Sequence, residues 1–256
     1  MPEGHTLHRL ARELAELIGH RVSASSPQGR FPADLVDDAT VEGVEAYGKH
    51  LLMDLDARPT VHVHLGMRGK WLRFSPVTGE AMRQVRLRLA IREVAWDLIA
   101  PSTCETLDQD QRTALVRKLG PDPLRPDADA AEGQRRIGAY QGSVGVAVMD
   151  QSVVAGVGNV FRAEALHACR IAPTTPAGGL SAAQLEQLWD TFAAMMSQAV
   201  DDGRIITVDA EDRLSVPEDQ SRRVYKQSTC FDCGTPVEVA ELAGRTSYAC
   251  PRCQPR

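Results

Sequence analysis

The chain has 256 residues, of which 43% are hydrophobic and 25% charged, and its formal net charge at pH 7 is −5. This is the composition of a soluble globular protein with room for two domains. No apolar run approaches the ~20 residues of a membrane span, and the N-terminus lacks the basic-then-apolar pattern of a secretory signal. The sequence therefore predicts a cytoplasmic protein that does not contact membranes.

The N-terminus carries a candidate nucleophile. If Met1 is removed, the nitrogen of Pro2 becomes a secondary amine. An α-amino group has a pKa near ~8, well below the ~10.4 of lysine, so part of it is uncharged and able to form a Schiff base with an aldehyde. Glu3 could move protons at the same centre. The alternative is that Pro2 only begins an amphipathic helix over residues 3–18. The apolar face of that helix carries Leu7, Leu10, Leu14, Leu17 and Ile18.

Residues 41–98 have the pattern of β-strands. Residues 61–65 alternate apolar and polar side chains, and residues 85–92 alternate apolar side chains with mostly arginines. Strands with one apolar face predict a β-sandwich or barrel.

The chain beyond residue 124 has a helical pattern. Residues 125–134 are rich in Pro, Asp and Ala and predict a linker. Ser181 and Gln184 have the spacing of a capping box at the start of a helix. The apolar positions of that helix are Leu185, Leu188, Trp189, Phe192, Met195, Met196 and Val200.

A glycine turn lies between apolar helical stretches at Gly156-Val157-Gly158-Asn159. Backbone N–H groups exposed at such a turn and at the following helix start bind phosphate oxygens, and Asn159 adds a side-chain donor. On these residues alone, a plain turn between two helices explains the segment equally well.

Four of the six cysteines lie near the C-terminus in two Cys-x-x-Cys pairs. This spacing favours a tetrahedral structural zinc site. Two disulfides or free thiols are the alternatives, and a disulfide framework is not expected without a secretory signal. The predicted zinc ligands are Cys230, Cys233, Cys250 and Cys253.

Basic residues are concentrated in two segments of this mildly acidic chain. Residues 68–92 hold seven bases and one acid, and residues 221–256 hold six bases and three acids. Such patches can bind phosphates if they face one groove, although a solvated surface is the simpler reading of either run.

In this order, the motifs resemble those of the formamidopyrimidine-DNA glycosylase and endonuclease VIII family. They are Pro-Glu-Gly at the N-terminus, Gly48-Lys49-His50-Leu51, His64-Leu65-Gly66-Met67, the Leu-Gly-Pro-Asp-Pro-Leu segment ending at residue 124, the Gly-Val-Gly-Asn turn and the four-cysteine ribbon. The resemblance covers essentially the whole chain.

The resemblance implies an α+β fold. An N-terminal β-sandwich with a leading helix would span residues 1–124. After the linker at 125–134, a helix–two-turn–helix domain would span 135–220 and a zinc finger 221–256. The implied partner is damaged DNA, bound by a monomer that works with the nucleoid and needs no small-molecule cofactor besides one structural Zn²⁺.

The resemblance also implies a reaction. A damaged base is flipped out of the stack. Pro2 then attacks C1′ of its deoxyribose, the base leaves, and β- and δ-elimination cut the strand on both sides of the sugar. Glu3 would protonate the sugar or the leaving group.

Further roles are implied residue by residue. Lys49 and Arg245 would grip phosphates beside the lesion, and the Arg245 fork suits two phosphate oxygens at once. Glu164 would have a structural or proton-handling role. The remaining DNA-binding candidates are Asn159, Met67, Arg68, Gly158 and Lys226.

The sequence departs from the pattern of one branch of the family, and this departure bears on the substrate. The purine-specific branch fills the gap left by the flipped base with a Met, and with an Arg and a Phe on a later loop. Met67 is present, but residues 100–105 read Ala-Pro-Ser-Thr-Cys-Glu. This favours oxidised pyrimidines as substrates, although residues 66–68 do not match the pyrimidine branch's Gln-Leu-Tyr either. An 8-oxoguanine glycosylase, or a non-catalytic protein that recognises abasic or damaged DNA, are the alternatives.

Overall fold

The computed structural model describes residues 2–77 and 79–255, so Met1, whose removal the predicted chemistry requires, lies outside the described residues. The chain divides into two compact units, residues 1–118 and 119–256. Within the described residues, no helix is long and apolar enough to cross a membrane.

The first unit begins with helix α1 (Gly4–Leu14), which continues as a 3-10 turn (Ala15–Leu17). Its apolar side chains are buried as predicted, whereas Ile18 is 41% exposed because the 3-10 turn ends before it. Eight strands follow: β1 (Arg21–Ser25), β2 (Ala39–Tyr47), β3 (His50–Leu55), β4 (Thr60–His64), β5 (Lys70–Phe74), β6 (Val85–Ala90), β7 (Ala95–Ile99) and β8 (Thr103–Leu107). Helix α2 (Gln109–Arg117) ends the unit.

The strands are antiparallel and ordered β5-β7-β6-β1-β2-β3-β4-β8. The pairing of β1 with β2 joins two four-stranded halves. Side chains from both halves and from α1 form one hydrophobic core. This agrees with the predicted β-sandwich, and it makes α1 part of the sandwich because α1 packs on β2 and β3.

The alternation predicted for the strands holds in β6 but not in β4. In β6, Val85, Leu87 and Leu89 are buried while the arginines between them stay partly exposed. In β4, His62 is only 4% exposed although it points away from the apolar face. The neighbouring strands explain the difference, since His50 and Glu105 hydrogen-bond to His62 from β3 and β8.

Three short 3-10 turns (Ala177–Gly179, Arg213–Ser215 and Glu218–Gln220) lie in the second unit. Its described residues also form four α-helices and one hairpin. They are α3 (Ala130–Ala139), α4 (Val144–Ala147), α5 (Asn159–Ala168), α6 (Ala182–Asp202), and the paired strands β9 (Glu238–Leu242) and β10 (Arg245–Ala249). Helix α6 begins with the predicted capping box, in which the Ser181 hydroxyl accepts from the Gln184 N–H. Its buried face joins α3 and α5 in a second hydrophobic core.

The boundary between the units differs from the predicted one. The predicted sandwich domain ends at residue 124, but residues 119–124 pack with the second unit. There the Gly120 N–H donates to the Gln151 carbonyl (2.8 Å) and the Ala155 N–H donates to the Pro121 carbonyl (3.1 Å). The predicted linker at 125–134 contains the start of α3, because the Asp129 carboxylate caps that helix by accepting from the Glu132 N–H (2.9 Å).

Candidate active site and nucleic-acid interface

The N-terminal pair stands at the start of α1. Pro2 is partly exposed, and Glu3 is the fully buried N-cap residue, with extended backbone and 0% exposure. The partial positive charge of a helix N-terminus favours a carboxylate at this position. The structure thus places an acid directly beside Pro2 and holds it away from solvent.

Lys49 lies on a tight turn between two strands on which α1 packs. Tyr47 pairs with His50, so Gly48 and Lys49 form a two-residue hairpin loop, and Gly48 has a φ of +58°. Such loops need positive φ values that glycine adopts without strain. Burial lowers the pKa values of His50 and His64, and the charge of Lys49 lowers both further.

Met67 and Arg68 lie on the turn between β4 and β5. Both are exposed, Met67 to 74%. The facing loop, residues 100–102 between β7 and β8, is held against β4 by a hydrogen bond from the Ser102 N–H to the His64 carbonyl (3.0 Å). A Cβ atom on Gly66 would lie 2.8 Å from that of Ser102, so the two loops are in close contact. The loop between β7 and β8 is short because β7 ends at Ile99 and β8 begins at Thr103, and Met67 is the large apolar side chain that the two loops expose.

Gly158 and Asn159 begin α5, with Gly158 as the N-cap residue. The Asn159 side-chain amide donates to the Thr246 carbonyl (2.9 Å) and accepts from Arg162 (2.5 Å), which also donates to the Thr246 carbonyl (2.7 Å). Thr246 follows Arg245 in β10. The structure thus fixes the orientation of the Asn159 amide and brings it next to the strand that carries Arg245.

Arg162 was not predicted from the sequence as part of this site. It is 1% exposed, and a guanidinium is buried only where its donors have partners. Arg162 follows Asn159 by three residues, so both lie on one face of α5. This spacing is the signal in the sequence that could have identified Arg162 as part of the site.

Glu164 has a structural role in the second unit. Its fully buried carboxylate accepts from the backbone N–H groups of Arg223 (2.8 Å), Val224 (3.0 Å) and Tyr225 (2.7 Å), and from the Thr207 hydroxyl (2.5 Å). These bonds fix the segment that leads into the cysteine ribbon. Of the two roles considered for Glu164, the contacts support the structural one.

We expect Glu164→Gln to lower the free energy of unfolding of the second unit by about 3 kcal/mol, since hydrogen bonds to charged groups are worth about 1.5–3 kcal/mol each. The amide NH₂ of Gln would face backbone N–H groups that need an acceptor. Urea unfolding followed by hydrogen exchange in α5 measures the effect. Glu186→Gln, an exposed position on α6, is the matched control. Equal unfolding midpoints for the two variants would contradict this role.

The four C-terminal cysteines form one cluster, with all their sulfur atoms within 4.8 Å of one another. The Sγ–Sγ distances include 3.5 Å for Cys233–Cys250, 3.5 Å for Cys233–Cys253 and 3.9 Å for Cys230–Cys253. Tetrahedral zinc with Zn–S bonds of about 2.3 Å requires about 3.8 Å between sulfurs. The donor set and its spacing therefore fit a zinc ion, and the four thiols are not paired as disulfides.

A histidine supports the cysteine cluster from α5. His167 is 2% exposed, and its Nε2 atom lies 3.2 Å from the Cys230 sulfur. Hydrogen bonds to ligand sulfurs orient them in metal sites.

The two remaining predicted residues lie on exposed turns of the same unit. Leu242 pairs with Arg245, so Ala243 and Gly244 form a two-residue loop with φ values of +49° and +72°, and Arg245 projects from its end. Lys226 is exposed, with its ammonium group 5.7 Å from the centre of the Tyr225 ring. Both side chains are accessible to an anionic ligand.

Comparison with known protein families gives two matches along the chain. Residues 1–113 match the formamidopyrimidine-DNA glycosylase N-terminal domain, and residues 119–210 match the H2TH domain of the same glycosylase. Endonuclease 8 1 of Mycobacterium tuberculosis (strain ATCC 25618 / H37Rv) is 39% identical over 269 residues, which cover 99% of this chain and 100% of that protein. The chain belongs to the formamidopyrimidine-DNA glycosylase and endonuclease VIII family.

Members of both branches of this family are similar to the chain. Formamidopyrimidine-DNA glycosylase of a Synechococcus species is 30% identical over 98% of this chain and 93% of its own length. The solved complex of Lactococcus lactis Fpg with abasic-site DNA has the same fold, with a TM-score of 0.81 and 21% identity over 99% of this chain and 100% of that one. The predicted family and α+β fold are confirmed, and as a family member the chain is a DNA glycosylase and abasic-site lyase of base-excision repair.

Proposed function

We propose that this family member excises oxidised pyrimidines from DNA through a Schiff base on Pro2 and then cuts the strand by β,δ-elimination. The observation that carries the proposal is the N-terminal pair. Pro2 is accessible at the start of α1, and the carboxyl group of Glu3 is buried beside it. In a non-catalytic binding protein, Glu3 would serve only to stabilise the start of α1, and the accessible nitrogen of Pro2 would have no role.

The chemistry follows from these two groups. The uncharged amine of Pro2 attacks C1′ of the damaged nucleotide while Glu3 donates a proton to the sugar ring oxygen or the departing base. The resulting iminium makes the C2′ proton acidic. Its removal expels the 3′ phosphate, and a second elimination expels the 5′ phosphate. Hydrolysis of the remaining iminium returns Pro2.

Cations from both units are proposed to hold the phosphates. Lys49 lies on the Gly48–Lys49 hairpin loop, and Arg245 projects from the β9–β10 hairpin. Asn159, fixed by Arg162, and the Gly158 N–H at the start of α5 would bind the backbone near the flipped nucleotide. Arg68 and Lys226 are exposed and would add phosphate contacts.

Zinc is proposed to be structural. Cys230, Cys233, Cys250 and Cys253 would hold one Zn²⁺, a closed four-thiolate site that leaves no position for substrate. When bound, the ion supplies folding energy to the β9–β10 hairpin and no reaction chemistry.

The preference for pyrimidines is supported by the short loop at residues 100–102, which has no arginine or phenylalanine to insert beside the flipped base. Met67 is the apolar side chain available to fill that gap. The relative from M. tuberculosis carries the name endonuclease 8, which agrees with this branch.

We expect covalent trapping to test the activity. Protein processed to begin at Pro2, mixed with borohydride and DNA that contains thymine glycol or an abasic site, should yield a stable protein–DNA adduct in which Pro2 is the modified residue. A duplex containing 8-oxoguanine is the competing substrate, and undamaged duplex is the control. Binding without an adduct would identify a non-catalytic damage-recognition protein. Faster trapping on 8-oxoguanine than on thymine glycol would assign the purine branch.

A further inference from the structure

Three histidines and a glutamate lie together on neighbouring strands beside the Lys49 loop. His50 Nδ1 lies 2.9 Å from His62 Nε2, and His62 Nδ1 lies 2.9 Å from Glu105 Oε1. The rings of His50 and His62 are stacked with centres 5.1 Å apart. His62 is 4% exposed, whereas the Glu105 side chain is 52% exposed. The three groups therefore form a hydrogen-bonded chain that runs from the residue after Lys49, through a buried imidazole, to solvent.

The Glu105 carboxylate determines which ring nitrogen of His62 and of His50 carries the proton. Glu105 only accepts, so His62 carries its proton on Nδ1 and leaves a lone pair on Nε2. His50 must then donate from Nδ1, which leaves its own Nε2 as a proton acceptor. His64 lies outside this hydrogen-bonded series, and its Nδ1 contacts the Gly66 N–H (3.1 Å) and the Ser102 hydroxyl oxygen (2.8 Å).

We propose that His50, His62 and Glu105 form a proton relay that serves the elimination steps of this enzyme. The proposal rests on the proposed function, because elimination at an iminium must release a proton near the Schiff base. Neither His62 nor Glu105 would touch the DNA. Their role is to take protons from His50 and pass them across β4 to solvent at Glu105 on β8.

The electrostatic surroundings of His50 disfavour a charged imidazolium and favour a relay that passes the proton on. Burial, the neighbouring imidazoles of His62 and His64, and the charge of Lys49 together lower the pKa of His50 to about 3. Burial, Lys49 and His62 also lower the pKa of His64. An isolated His50 would therefore be a weak base. In a relay no imidazolium has to persist, because His50 gives up its Nδ1 proton as Nε2 gains one.

The proton balance of one transfer is complete. As the C2′–H bond breaks, its electron pair forms the C1′–C2′ double bond of the enamine, and the proton reaches His50 Nε2 directly or through water. The Nδ1 proton of His50 moves to His62 Nε2, and the Nδ1 proton of His62 moves to the Glu105 carboxylate. Glu105 then releases a proton to solvent. The enamine electrons break the C3′–O bond, and the phosphate leaves with that pair. Solvent then returns a proton to Glu105, the reverse transfer moves a proton back onto Nδ1 of each ring, and His50 passes its Nε2 proton to the departing phosphate, which resets both rings.

The substitution Glu105→Gln tests proton transfer while it keeps the hydrogen bond that supports the fold. The carboxamide oxygen can still accept from His62 Nδ1 but cannot take the proton. Glu42→Gln, an exposed glutamate on β2, is the matched control. The assay is single-turnover cleavage of a duplex with a preformed abasic site, measured in H₂O and D₂O mixtures, with affinity for a tetrahydrofuran-containing duplex as the binding readout.

We expect Glu105→Gln to slow elimination about tenfold or more, as the loss of general acid–base assistance does. Affinity for tetrahydrofuran DNA should not change. A plot of the wild-type elimination rate against the D₂O fraction should be curved, as expected when several protons move in one step. The same plot for the variant should be linear. Equal elimination rates for Glu105→Gln and Glu42→Gln would overturn the relay.

Nitrogen-15 NMR of the DNA-free enzyme tests the proton positions without the reaction. At neutral pH we expect protonated Nδ1 and bare Nε2 on His50 and His62, with peaks assigned from His50→Gln and His64→Gln. A protonated Nε2 on a neutral His50 would overturn the relay. Wild-type enzyme that neither cuts nor is trapped would instead overturn the proposed function, so the two failures are distinguishable.

Discussion

A chain that keeps any residue in front of Pro2 is expected to lose strand cleavage and borohydride trapping by at least about a thousandfold, a barrier increase of about 4 kcal/mol. In such a chain the Pro2 nitrogen is an amide, whose lone pair is delocalised into the carbonyl and cannot attack C1′. The clearest test uses a single preparation with a removable N-terminal tag whose cleavage leaves Pro2 first. The same molecules should be inactive before cleavage and active after it.

The matched control is a second tag placed after residue 256, whose removal should change neither cleavage nor trapping. Binding of tetrahydrofuran DNA by the N-terminally tagged chain shows whether the tag merely blocks access. Full binding with no trapping assigns the effect to the amine. Efficient trapping of the uncleaved chain would place the nucleophile on another residue, and the proposed roles of Pro2 and Glu3 would both fail.

Local patterns in the sequence were sufficient for several elements because those elements are stabilised by neighbours along the chain. The leucines of α1 repeat at helical spacing, and all of them are buried. The capping box at Ser181 marks the start of α6 because both partners lie within one turn. The two Cys-x-x-Cys pairs predicted a cluster because each pair occupies a single tight turn.

The relay could not be predicted from such patterns. His50, His62 and Glu105 come from three strands, and only the register of β3, β4 and β8 brings His62 opposite Glu105. Alternation along residues 61–65 indicated an exposed histidine, and the cross-strand neighbours bury it instead.

In the segment after residue 124, the prediction failed although a local signal was present. Its Pro, Asp and Ala content predicted a linker, yet Asp129 is an N-cap residue and α3 follows it. Composition averaged over ten residues concealed the Asp-x-x-Glu spacing that marks a helix start. Likewise, the contacts of Glu164 with residues 223–225 depend on a chain separation of about 60 residues that no local motif reports.

Removal of zinc is expected to unfold the β9–β10 hairpin and to weaken binding of tetrahydrofuran DNA roughly tenfold to a hundredfold, the equivalent of one or two charge-assisted hydrogen bonds at about 1.5 kcal/mol each. The reason is the small core around the cysteines. Among the described residues its buried members are Ala163, Val224, Cys230 and Cys250, with five partly buried side chains packed against them, which is too small a core to order the ribbon without a metal. Loss of the hairpin removes Arg245 and frees the Thr246 carbonyl that orients Asn159.

Cys253→Ser and treatment with a chelator should give the same result, measured by zinc content, by hydrogen exchange at residues 238–249 and by DNA affinity. Cys169→Ser is the matched control, because this buried thiol lies outside the ribbon and contacts the Thr191 hydroxyl, a contact that serine can keep. Hydrogen exchange in β3 and β4 should be unchanged, since the first unit has its own core. A metal-free protein that keeps an ordered hairpin and full DNA affinity would show that the four thiols stabilise the ribbon without zinc. Arg245 would then owe its position to the contacts of Asn159 and Arg162 with Thr246 alone.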